Sequence, residues 1–150
     1  MSTHTLTDRT LILAADGRRA RFFLEERRGA PLQERADWAM SLAEEDRYEA
    51  QDRPPRSFES VGAHRHGMEG ESNLHDREEQ NFLRRLAASV TEHADAFDAL
   101  VLIAPPPALG RLRALLHGDV RRRVALEDAK DVVHETAAQL SQRLRDLRIP

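Results

Sequence analysis

The chain has 150 residues, of which 33% are charged and 40% hydrophobic, with a formal net charge of -3, an isoelectric point near 6.2 and no cysteine. Such a length fits one ordinary domain with its own core, and the high charged fraction requires a heavily solvated excursion somewhere along it. Without cysteine, disulfides, thiolate nucleophiles and cysteine-ligated zinc are excluded, and the modest negative charge excludes a global basic field for tight, sequence-independent nucleic-acid binding.

Near the start, residues 11–15 (LILAA) form an apolar run too short for a signal-peptide core or a membrane span. A cytoplasmic location is therefore expected, with neither a membrane nor DNA as partner. Thr10–Ala15 reads as a buried strand, Asp16-Gly17 as a turn, and Arg19–Glu25 (RARFFLE) as the returning strand of a hairpin. Leu32, Glu34, Ala36 and Trp38 share one face of an expected third antiparallel strand over 32–40.

Over 41–76 the composition turns polar, with Pro54-Pro55, three glycines and almost no apolar period, which predicts a long polar loop. Phe82, Leu83, Leu86, Val90, Ala94 and Phe97 then mark an amphipathic helix, with Asn73 or Asp76 as its expected cap. The run Ala99–Ile103 with Ala104 predicts a central strand covered on both faces. Pro105-Pro106-Pro107 open a short helix striped by Leu109, Leu112, Leu115 and Leu116, which Gly118-Asp119 should end. A last strand is expected over 120–126 and a last helix over 132–147, with Asp131 as its cap. The strand-helix-strand-helix ending implies parallel pairing. The expected fold is thus α/β, a mixed sheet of about five strands with about three helices, in one domain spanning 1–150.

The chemistry concentrates in the predicted loop, where His64, Arg65, His66, Glu69, Glu71, His75 and Asp76 are interspersed with Gly62, Gly67 and Gly70 just before a helix. Three uses compete. The histidines and carboxylates are ordinary ligands for a divalent metal, but their spacing matches no metal motif, and neither a metal nor a cofactor is expected. Glycine amides at a helix start, helped by Arg65, His66 and His75, suit a phosphate, as of RNA, against the repulsion of Glu69, Glu71, Glu78 and Glu79. The third use is a loop that is merely solvated or covered in a homo-oligomer. Lys130-Asp131 sits between a strand and a helix, where open α/β sheets bind ligands, and Asp16 in the hairpin turn is a further candidate. Arg121-Arg122-Arg123 reads as a solvated surface strand.

Residues 13–23 (LAADGRRARFF), 52–60 (DRPPRSFES), His75-Asp76 followed by Glu79 and Phe82, residues 97–106 (FDALVLIAPP) and Lys130-Asp131 together resemble, in order, the bacterial host-attachment protein family. That resemblance implies a role in attachment to host cells. A more distant similarity is to the middle domain of archaeal and eukaryotic peptide-chain release factors, and the join over 67–86 is similar to their glycine-rich loop and long helix. In those factors a Gly-Gly-Gln tip promotes peptidyl-tRNA hydrolysis; here the tip reads Gly67-Met68-Glu69-Gly70-Glu71, without glutamine. The resemblance implies a non-catalytic or weakly catalytic module acting on RNA, with the ribosome or a tRNA as partner. The alternative is a peptidyl-tRNA or other ester hydrolase with His66, Glu69 or Glu71 as base.

Overall fold

The structure, a computed structural model, describes residues 8–42 and 59–149, with the backbone alone over 59–72. Six strands form one mixed sheet: β1 (Thr10–Ala15), β2 (Arg19–Glu25), β3 (Gln33–Glu34), β4 (Met40–Ser41), β5 (Ala99–Ile103) and β6 (Val124–Asp128). Their order is β3-β2-β1-β5-β6, with β4 also paired to β2. β2 runs antiparallel to β1, while β5 is parallel to β1 and β6 parallel to β5. The carboxyl ends of β1, β5 and β6 therefore lie side by side on one edge of the sheet.

Helices cover both faces: α1 (Glu59–Glu92), α2 (Pro106–Leu115), α3 (Gly118–Arg122) and α4 (Ala137–Leu147). Because side chains alternate along a strand, Leu11, Leu13, Phe22, Leu100 and Leu102 meet Phe82, Leu86 and Val90 of α1 and Leu109 and Leu112 of α2 on one face. Ile12, Phe23, Val101 and Ile103 meet Leu140 and Leu144 of α4 on the other. Every residue of β1 and β5 is buried, as their unbroken apolar runs require. Each such leucine, isoleucine or phenylalanine contributes roughly 1.5–3 kcal/mol of transfer free energy.

Four expectations change. The polar stretch is not a loop as far as residue 76: α1 already begins at Glu59 and runs 34 residues, about 50 Å at 1.5 Å per residue. Asn73 and Asp76 thus lie inside the helix and cap nothing. The third strand is split by a 3-10 turn at Ala36–Trp38. That turn stacks the Trp38 ring on His93, with centroids 3.8 Å apart, and sets it edge-on to Phe22 at 6.0 Å. Packing across the chain has overridden local alternation.

Gly118, at φ +63°, does not simply end α2 but opens the short α3, so the last strand starts at Val124 and Arg121-Arg122 are helical. The last helix starts at Ala137 and is capped by Thr136, not Asp131. Thr136 Oγ1 accepts from the Gln139 N–H at 3.1 Å while Gln139 Oε1 accepts from the Thr136 N–H at 2.8 Å. This reciprocal box satisfies two amides that would otherwise lack partners. At the sheet margin, Leu100 pairs with Val124 but Val101 with Leu126, so Ala125 is an extra residue bulging from β6.

Candidate functional site

The carboxyl edge carries a cleft of about 270 Å³ where the β1–β2 turn, α1 and the start of α2 meet. Asp16, Arg18, Glu79, Leu83, Pro105 and Arg111 are among the residues that line it. A groove of about 200 Å³ between α1 and α2 shares Leu83 and Arg111 with it and adds Arg84. A further cleft of about 310 Å³ opens at the amino edge, beside Thr10, Ala99 and Arg148. The carboxyl-edge cleft holds Asp16 of the residues that the sequence singles out, and it lies at the edge where open α/β sheets take ligands.

The turn is built by Asp16. Its Oδ1 accepts from the backbone N–H groups of Arg18 and Arg19 at 2.8 and 2.7 Å, and its own N–H donates to the Arg19 carbonyl at 3.0 Å. These bonds hold Gly17 beneath α1. A Cβ placed on Gly17 would lie 3.0 Å from Glu79 Cδ and 3.2 Å from Glu79 Oε2, so the bare glycine lets the carboxylate settle on the turn. Glu79 is half-buried and makes no hydrogen bond or ion pair among the described residues. Arg18, exposed on the same turn, has a likewise unpaired guanidinium among them.

Arg111 joins α2 to α1. Its Nη2 donates to Asp76 Oδ1 at 2.9 Å, and Asp76 Oδ2 accepts from Gln80 at 3.0 Å. Asp76 thus serves as a brace for a guanidinium that lines the cleft. The first turn of α2 offers little to an anion: Pro105, Pro106 and Pro107 have no N–H, which leaves Ala108 as its one free amide donor. Positive charge in the cleft comes from arginine side chains.

Of the other predicted residues, His75 is exposed, with Nδ1 3.9 Å from Glu78 Oε2. Lys130 and Asp131 stand exposed beyond the end of β6, on the same sheet edge and two strand spacings from β1, about 10 Å at the backbone. Arg65, His66, Glu69 and Glu71, with His64, fall on the α1 backbone, and their side chains lie outside the described residues. Because that stretch is inside a helix, its amides are committed to the i→i−4 ladder and do not form a glycine cradle before a helix start. Among the described residues, no three His, Asp or Glu side chains group as metal ligands would, and no helix is long and apolar enough to cross a membrane. Arg123 is structural: its Nη1 donates to the carbonyls of Ala94 at 2.7 Å and Phe97 at 2.9 Å.

Sequence reasoning weighed Glu79 as a source of repulsion and as part of the stretch that resembles the host-attachment family, gave it no place in a site, and passed over Arg111. Nothing local marks either, since α1 and α2 must pack before the two residues reach one cleft. The paired Asp16-Gly17 carried the one legible signal, a turn that needs a carboxylate and a minimal residue.

A family model described as "Protein required for attachment to host cells" matches residues 11–144. No curated protein matches the chain.

Proposed function

The chain belongs to the family of proteins required for attachment to host cells, and from that footing and the chemistry of the cleft we propose that it is a binding module whose ligand is RNA. The observation that carries the proposal is the arginine rim: Arg18, Arg84 and Arg111 line two adjoining recesses at the carboxyl edge. Guanidinium forks match the geometry of phosphate oxygens, and contacts of this kind position a nucleic-acid backbone. α1 supports the same use. The buried residues of its 82–90 stretch pack on the sheet, whereas residues 73–77 are exposed, so the helix presents Arg77 away from the core, in the turn next to Asp76, which braces Arg111.

The ribosome or a tRNA is the proposed source of the RNA. With a formal charge of -3 the protein relies on a local patch, so binding should weaken steeply with salt. The test is recovery of RNA and ribosomes with the tagged full-length chain, compared with a variant carrying Arg18→Ala, Arg84→Ala and Arg111→Ala. Enrichment of RNA by the parent and its loss in the variant are expected. Equal recovery by both, or recovery by neither, overturns the proposal. A second variant, with alanine at His64, His66 and His75, tells whether the α1 stretch shares in the contact.

A further inference from the structure

We infer that the carboxyl-edge cleft seats a single ribose unit, with the Glu79 carboxylate accepting a hydrogen bond from the sugar 2′-hydroxyl while Arg18 and Arg111 take the flanking phosphates. The inference rests on the RNA reading above and goes beyond it by naming the group that is recognised.

Four features of the cleft lead to it. Among the described residues the half-buried Glu79 carboxylate has no partner, whereas the neighbouring carboxylates are engaged, Asp16 by two backbone amides and Asp76 by Arg111 and Gln80. A partly desolvated carboxylate gains most from a ligand that donates to it. A phosphate cannot donate, so the anionic part of a nucleotide is turned away from Glu79 and toward the arginines, and the hydroxyl-bearing sugar faces the carboxylate. Deoxyribose lacks the 2′-hydroxyl, which makes this position a discriminator of RNA from DNA.

The walls fit the same occupant. Leu83, Pro105, Pro107 and Ala108 give an apolar floor with no aromatic ring among the described residues, so a sugar face can rest there but no described side chain offers a base a surface to stack on. A volume of about 270 Å³ restricts the occupant to a small unit of the chain. Recognition is therefore of the sugar-phosphate backbone and independent of sequence. Glu79 is held by geometry, since Gly17 leaves its carboxylate close against the turn.

The experiment measures binding of one labelled single-stranded sequence as RNA, as DNA and as 2′-O-methyl RNA, by anisotropy at fixed salt, to the full chain and to its Glu79→Ala and Glu79→Gln variants. RNA is expected to bind about tenfold more tightly than DNA, the scale of one hydrogen bond to a charged group. Methylation, which removes the donor, should bring RNA to the level of DNA. Glu79→Ala should erase the preference, and Glu79→Gln, which keeps an acceptor oxygen, should retain part of it. RNA bound no better than DNA, or a preference that survives Glu79→Ala, overturns the ribose assignment and leaves RNA binding standing. Binding of neither polymer overturns both.

Discussion

Arg148 and Glu25 form a bidentate ion pair, with Nη1 to Oε2 at 2.9 Å and Nη2 to Oε1 at 2.8 Å, that ties the residue after α4 to the end of β2. The Glu25 side chain is 3% exposed and that of Arg148 17%. Removing the arginine alone leaves a carboxylate buried without its cation, whereas replacing both partners by apolar residues removes the desolvation cost together with the attraction. Arg148→Ala is expected to lower stability by about 3 kcal/mol in urea unfolding, and the double variant Glu25→Leu with Arg148→Met to recover most of that loss. A double variant as unstable as the single one would contradict this account.

Acid should destabilise the fold through three carboxylates held below their ordinary titration range. Asp98 accepts from the side chain and backbone N–H of Arg9, Glu34 from Arg21, and Asp37 from Arg35. As pH falls, the unfolded chain takes up protons at these groups before the native one does, so their contribution is present above the ordinary carboxylate range and is lost through it. The urea midpoint is expected to be level down to about pH 5 and to fall below it. All three groups are well exposed, so the slope should be shallow and Arg9→Ala should reduce it further. A midpoint that rises on acidification would refute the assignment.

Gly17→Ala tests whether Glu79 is placed by the turn. Gly17 does not have a positive φ, so alanine is tolerated by the backbone, and the nearest atoms belong to a flexible side chain that must give by a few tenths of an ångström. Melting should shift by less than about 0.5 kcal/mol. The preference for RNA over DNA should shrink. Unaltered preference with a melting curve like the parent's would show that the turn does not set the carboxylate.

Gly62, Gly67 and Gly70 lie within α1, each costing the helix about 1 kcal/mol relative to alanine. Replacing all three by alanine should raise helical ellipticity and leave the unfolding of the packed core unchanged. No gain in ellipticity would argue against a helix through that stretch.

Where packing followed local pattern, it was legible in the sequence. The runs of β1 and β5 declared central strands because both of their faces are covered, and the α/β order with its mixed sheet followed. The first part of α1 was not legible, since a helical segment that buries nothing shows no apolar stripe and its glycines read as loop. The third strand was misjudged because Trp38 is claimed by His93, far along the chain. Thr136 was missed as the last cap since Val132 and Val133, which are buried outside any helix, imitate the start of the helical stripe. In the cleft, Asp16 could be anticipated from its turn. Its union with Glu79 and Arg111 could not, because tertiary packing alone brings them together.

The bulge at Ala125 bears on how copies of this protein meet one another. A neighbouring strand approaching the outer side of β6 would find its hydrogen-bonding groups out of phase, next to Glu127 and Asp128, which Arg113 and Arg143 hold at 2.9 and 3.6 Å. At the far margin β3 and β4 are two residues each, too short to template an addition. Among the described residues neither margin offers a long regular edge, so this sheet is guarded against growing from molecule to molecule, and a crowded solution of the folded chain should stay free of fibrils.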